Sequence, residues 1–481
     1  MQALLNLWRI PELRNRILFT LGMLVIYRIG YHIPLPAVDT VALKAAIGNL
    51  DDKDLLKNVM AYMSTFTGGS LSQSTIFALG VAPYISASII IQLLSTVLPD
   101  LKALRKEGAS GQQKIMEYTR YLTIALCIGQ GIFVLINLRT MAHGIVYPEF
   151  EGSWVFWVGC TVALTGGAMF LMWLGEQIDR YGMGNGVSLI ITAGIVATMP
   201  DAASRIYQNF HMTGDKGGYD PMKVAFIAAL FVIVVAGSIV ITQSQRRIPI
   251  QQAKHTKGSA VVGGQKMYLP LKVNHGGVMP VIFASTLMMF PGMILKVLGS
   301  RIGKLDEYHS AFGRAYFHTV EFLAHEFEAN RITAGFLYIL VLVGLIYFFS
   351  FFWTSVQFNP EETSTQLRDS GSFIPGLRPG PRTAEYLEAV MERLTYAGAA
   401  FLCVIAVLPN LASHGMQLTD SLVIQFMGGT SILICVSVVL DFVQRIEAQL
   451  MMRNYSGFLS QGDGEAPKVK AIRGETADIP E

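Results

Sequence analysis

Ten apolar runs punctuate the sequence, at residues 17–33, 76–98, 121–138, 154–174, 186–199, 224–242, 278–297, 336–352, 394–411 and 422–442. A helix rises about 1.5 Å per residue and a hydrocarbon core is about 30 Å thick, so one crossing takes about 20 apolar residues. All but the short fifth run approach or exceed that length. The runs are continuous, without the alternation of apolar and polar residues that marks membrane β-strands. With 52% hydrophobic and 15% charged residues, the chain is expected to be an all-α membrane protein of ten transmembrane helices.

Orientation follows from the basic residues, because loops rich in Lys and Arg stay on the cytoplasmic side. The loop 243–273 carries Arg246, Arg247, Lys254, Lys257, Lys266 and Lys272 and no acid. Placing it inside puts both termini in the cytoplasm. The first run is longer than the core of a secretory signal, about 7–15 residues, and no small-residue cleavage site follows, so it reads as structure. Cys127, Cys160, Cys403 and Cys435 all lie inside apolar runs without paired spacing. They read as buried thiols, and neither metal nor disulfide is expected.

A repeat divides the ten runs. Gly80 to Ser88 reads GVAPYISAS and Gly277 to Ser285 reads GVMPVIFAS, identical at six of nine positions. Both segments open the second run of a set of five, and a double glycine precedes each, Gly68-Gly69 and Gly276-Gly277. Two halves of five spans each sit upside down relative to one another, an architecture whose functional path lies between the halves. The expected units are residues 1–200, residues 201–453 with cytoplasmic loops 243–273 and 355–393, and a disordered tail, 454–481. Broken helices at matched positions point to a translocation path, since irregular backbone survives at membrane depth only inside protein or beside water. The stretch 55–69, LLKNVMAYMSTFTGG, is too polar to face lipid and predicts a short helix within a cavity on the outer side.

The path holds no acid–base chemistry. The second run has no charge and the seventh only Lys296, whereas Val81, Ile85, Ser86, Ser88, Ile282 and Ser285 make its middle aliphatic and hydroxylic. Ion-coupled transporters keep ionisable groups at that depth, while an apolar constriction gates by dewetting and re-packs around varied cargo. Catalysis is not expected: AHEFE, 324–328, lacks the second His of a zinc-protease helix. Likewise, YGMGNG, 181–186, has neither the preceding strand nor the Lys of a phosphate loop and predicts a tight turn. A passive polypeptide channel, a secondary transporter of small solutes and a membrane insertase remain open from these residues. The inner loops suit docking: SAVVGGQKMYLPLKV predicts a hairpin with its basic residues at the tip, and the prolines and glycines of SGSFIPGLRPGPRTAEYL hold Arg378 in a set geometry.

Five motifs carry a resemblance: STIFALGVAPYISASIIIQLL, FLMWLGEQIDRYGMGNGVSLII, LPLKVNHGGVMPVIFAS, FNPEETSTQLRDSGSFIPGLRPG and FMGGTSILI. Together, over about residues 13–453, they resemble the SecY/Sec61-alpha family of protein-conducting channels. The resemblance implies an hourglass pore in the bacterial inner membrane for unfolded preproteins and for membrane segments released sideways into lipid. It places a closing ring on Val81, Ile85, Val187, Ile191, Ile282 and Ile434, two of them valine here. A plug would span about 60–73, including Tyr62, Phe66, Gly68 and Gly69, and a lateral gate would include Ser88, Gln92 and Phe290. The docking set would be Arg246, Arg247, Lys254, Lys257 and Arg378, with Ser259 and Ala260 where the family has an arginine pair. Implied partners are SecE-like and SecG-like subunits, the SecA motor, the ribosome, SecDF/YidC-type accessory proteins, signal peptides and membrane lipid. No cofactor is implied. The outer loop 299–331 has no assigned role.

Overall fold

The computed structural model describes residues 11–39, 42–43, 75–141, 146–147, 149–150, 153–210, 220–252, 255–257, 260–262, 266–288, 336–416 and 429–459, with isolated positions between them. In chain order these form α1 (Pro11–Gly30), α2 (Ala82–Val97), α3 (Pro99–Lys106), α4 (Ala109–Met141), α5 (Trp154–Tyr181), α6 (Gly186–Gln208) and α7 (Pro221–Gln243). Strands β1 (Gln245–Gln252), β2 (His255–Lys257), β3 (Ala260–Val262) and β4 (Lys266–Lys272) follow. The rest comprises α8 (Met279–Met288), α9 (Phe336–Gln357), α10 (Pro360–Asp369), β5 (Ser372–Phe373), α11 (Pro381–Met416) and α12 (Gly429–Leu459). The plug segment, the outer loop 299–331, Lys254, Ser259, Phe290 and the tail beyond 459 lie outside the described residues.

Each apolar run contains a helix. Among the described residues six helices are long and apolar enough to cross a bilayer, and α2 with α3 makes a seventh if that pair, bent by 102°, counts as one span. Helices α4, α11 and α12 extend well past their apolar runs, because a hydrophobicity window sees only the lipid-facing part of a helix whose polar turns continue into water. The second run differs at its start. Residues 76–81 form turns and the helix proper begins at Ala82, with Pro83 in its first turn, where a missing N–H costs nothing.

Gly80 has φ +56° and Gly277 φ +59°, a left-handed conformation that a Cβ disfavours. The matched glycines of the two repeats therefore break the backbone in the same way. The equivalence rests on Gly80 and Gly277, not on the double glycine at 68–69, which falls outside the described residues.

One large core runs through both halves and contains residues of α1, α2, α5 to α9, α11 and α12. A second, built around Leu35, Leu79, Leu135 and Leu164, belongs to the amino-terminal half alone. Several hydroxyl groups within the helices are satisfied locally: Ser86 donates to the Ala82 carbonyl at 3.0 Å and Thr286 to that of Ile282 at 2.8 Å. This is how polar side chains persist in apolar helices without facing a pore.

The turn from α5 to α6 is tight, as YGMGNG predicts. Asn185 caps α6 by accepting from the Ser188 N–H at 3.1 Å, Gly184 is left-handed at φ +95°, and a Cβ on Gly186 would collide with the Gly175 carbonyl.

On the basic side of the molecule β1 pairs antiparallel with β4, from Gln245 opposite Lys272 to Gln251 opposite Lys266. The expected hairpin continues through β2 and β3, with His255 opposite Val262 and Lys257 opposite Ala260. Its charges are distributed differently from the expectation. Lys257 is near the tip, but Arg246 and Arg247 are exposed on β1 at the base, facing Leu271 and Pro270 across the ladder.

Candidate functional site: an aliphatic closure beneath a polar mouth

Of the six residues of the expected ring, Ile85, Val187, Ile191 and Ile282 line one cavity, and Val81 and Ile434 belong to the same large core. Val81, Ile85, Ile191, Ile282 and Ile434 are buried in the large core, and the half-buried Val187 packs against it. They come from four elements: the start of α2, the first two turns of α6, the first turn of α8 and the first turns of α12. Gly80 and Gly277 mark two of these helix starts with left-handed backbone, and Gly186 lets a third approach the Gly175 carbonyl. Two of these elements belong to each half, so the cluster is also where the halves join.

A cavity of about 220 Å³ adjoins this closure. Ile85, Val187, Ile191 and Ile282 form its apolar wall, and Ser88, Gln92, Asn185 and Ser188 its neutral polar wall, with Asp179 at the rim. A second cavity, of about 310 Å³, shares Asn185, Ser188, Met279 and Trp353 with the first and is bordered by Lys272, His275, Asp441 and Arg445. The two adjoin through these shared residues, the outer one reaching Lys272 at the end of β4 and the inner one reaching the aliphatic cluster.

Of the expected gate residues, Ser88 and Gln92 are neighbours on α2, where the Gln92 amide donates to Ser88 Oγ at 3.3 Å, and both border the inner cavity. Across it, Phe283 of α8 packs edge-on against Phe349 and Trp353 of α9, ring centroids 5.7 and 5.5 Å apart. The halves are also tied at this mouth by Arg105 of α3, which donates to the Val356 carbonyl at 3.2 Å. Just outside α8, His275 Nδ1 lies 2.8 Å from the Lys272 carbonyl, and burial pushes its pKa below the usual 6.5.

Sequence reasoning missed the polar rim. Glu176 accepts two hydrogen bonds from Arg120, at 3.2 and 2.6 Å, and Asp179 accepts from the Gly186 N–H at 2.7 Å. Their signal was present in GEQIDRYGMGNG, where acids at 176 and 179 fall on one helical face next to a glycine turn.

Of the docking residues, Arg246, Arg247 and Arg378 belong to one folded unit. Strand β5 adds to β1, with Gln251 opposite Phe373. Ile248, Leu271, Ile374, Leu387, Val390 and Met391 make a small separate core beneath it, so the two basic loops are a single folded cap on the amino-terminal end of α11. Arg378 is exposed in a turn set by the left-handed Gly376 and Gly380, φ +88° and +126°. The Thr383 hydroxyl donates to its carbonyl at 2.9 Å.

Fold and site define a polytopic helical membrane protein whose two halves meet at an aliphatic cluster beside a cavity with a neutral polar wall. The SecY family pattern matches residues 75–443, and the chain belongs to the SecY family. The protein translocase subunit SecY of Thermotoga maritima is 38% identical over 461 residues, covering 96% of this chain and 98% of the relative. That of Corynebacterium glutamicum is 40% identical over 463 residues, covering 95% and 100%. Among solved structures, a protein-conducting channel superposes with a TM-score of 0.59 at 18% identity, covering 94% of this chain and 95% of the other. Sec61 from the canine ribosome-channel complex of the endoplasmic reticulum gives 0.55 at 17%, covering 94% and 95%. At those identities the superpositions speak for the shared fold.

Proposed function

We propose that this chain is the pore subunit of a translocase that passes unfolded secretory polypeptides across a bacterial inner membrane and releases membrane segments sideways into lipid. The observation that carries this reading is one cavity lined by aliphatic side chains of both halves, Ile85, Val187 and Ile191 from the first and Ile282 from the second. Such a closure excludes water and ions while shut. It holds a passing chain through dispersion contacts that demand no particular sequence.

Val81, Ile85, Val187, Ile191, Ile282 and Ile434 act as the ring. Ser88, Gln92 and Phe290 belong to the side opening, and Tyr62, Phe66, Gly68 and Gly69 to a plug below it. The ring contains no acid, base or nucleophile, so the work of translocation comes from outside the chain. A SecA-type ATPase or a ribosome engages the cap through Arg246, Arg247, Lys254, Lys257 and Arg378, by attraction of cations to phosphate or carboxylate that salt weakens. SecE-like and SecG-like subunits and SecDF/YidC-type proteins complete the assembly, with both termini cytoplasmic.

Reconstitution into vesicles with a motor ATPase and a labelled preprotein tests this. Protease-protected preprotein is the expected result, and accumulation of a small solute without any protected polypeptide would overturn it.

A further inference from the structure

We propose, on the reading above, that Asp179 receives the positive charge at the leading end of a client polypeptide and so sets which clients engage the channel. Among the described residues Asp179 is the one charged side chain bordering the 220 Å³ cavity. Its carboxylate is held there, since Oδ1 accepts from the Gly186 N–H at 2.7 Å.

The neighbouring cations have carboxylate partners of their own, although Arg445 also acts electrostatically on Asp179. Arg120 is taken by Glu176 and Arg445 by Asp441, at 2.6 and 2.8 Å, and among the described residues no basic group forms an ion pair with Asp179. A second observation points to a donor ligand: the buried Gln92 amide oxygen, on the same cavity wall, has no hydrogen-bond partner among the described residues.

Spacing fits a particular occupant. Gly186 precedes Ile191 of the closure by five residues of helix, about 7.5 Å of rise. A chain whose apolar stretch lies against Ile191 and Ile282 leaves the residues before that stretch at the level of Asp179. Targeting segments have this order, Lys and Arg first and then about 7–15 apolar residues. The outer cavity carries Lys272 and Arg445, with Asp441 paired to the latter, so within the inner cavity Asp179 is the carboxylate left to attract a cationic leader.

The test uses the full assembled complex in membrane vesicles and one preprotein whose leading segment carries a charge of about 0, +2 or +4. Asp179→Asn keeps an oxygen for the Gly186 N–H and removes only the charge. In the unaltered complex, initial import of the most cationic precursor should exceed that of the neutral one several-fold. Asp179→Asn should cut that ratio at least threefold without lowering import of the neutral precursor, and Asp179→Lys should reverse the preference. Import ratios unchanged in Asp179→Asn, with assembly intact, would overturn the proposal. If the unaltered complex imported no precursor of any charge, the fault would lie with the translocase reading and not with Asp179.

Discussion

Replacing Ile282 and Ile434 together with Asn should turn the closure into a leak. The two side chains are 4% and 1% exposed, and each contributes about 1.5–3 kcal/mol by being out of water. Asn forfeits that and introduces an amide whose unpartnered burial costs about 1–3 kcal/mol. Both effects favour a hydrated cluster, by about 5–12 kcal/mol for the pair. Relaxation of the neighbours absorbs part of this, but half of the lower figure still raises the wetted population by about fifty-fold at about 1.4 kcal/mol per decade. Ion conductance of the purified complex in planar bilayers reads the effect directly, with Ile282→Leu/Ile434→Leu as the volume-matched control that should stay tight. A double Asn variant that assembles normally yet conducts no more than the unaltered protein would show that these residues are ordinary packing and that the seal lies elsewhere.

Gly186→Ala should destabilise the assembled protein, with a thermal midpoint lower by several degrees, because its methyl would strike the Gly175 carbonyl and part α5 from α6; an unchanged midpoint would contradict the observed closeness. Arg378→Glu should abolish motor-dependent import while leaving assembly and ion tightness intact, since the residue is exposed and contributes no side chain to the core beneath it; import at the normal rate would refute the docking role. His275 is held below its usual pKa by burial, so the folded state favours the neutral ring. Its contribution to stability is complete above about pH 6.5 and drains away as pH falls below that value, where the unfolded chain takes up the proton first. The drop in thermal midpoint between pH 7.5 and 5.5 should shrink in His275→Gln, and equal drops in both proteins would refute this.

The helices were legible in the sequence because lipid imposes a composition: every crossing must be long and apolar, and the ten runs announce themselves. The repeat was legible because glycine and proline are required where a helix starts at membrane depth, and Gly80-Pro83 and Gly277-Pro280 keep that spacing. The extents of α4, α11 and α12 were hidden, since their outer turns are polar and carry no hydropathy signal. Also hidden was the joining of the two basic loops. A two-residue strand at Ser372–Phe373 has no periodicity to detect, and its pairing with Gln251 and Gln252 spans more than 100 residues of chain. The ring residues could be named from family resemblance, but their convergence depends on four helix starts meeting. The rim carboxylates Glu176 and Asp179 looked like ordinary helix-end charges until the neighbouring elements were in place.

The cap that unites both basic loops rests on the amino-terminal end of α11, a helix of 36 residues. A partner that seizes either loop thus grips one stiff handle rather than two loose straps. Torque applied outside the bilayer reaches the buried part of α11 as rotation of a rod that runs about 42 Å, at 1.5 Å per residue, before Pro409 interrupts its hydrogen bonding. A small swing at the handle becomes a displacement deep in the carboxy-terminal half, so a grip on the basic cap reaches side chains it never touches.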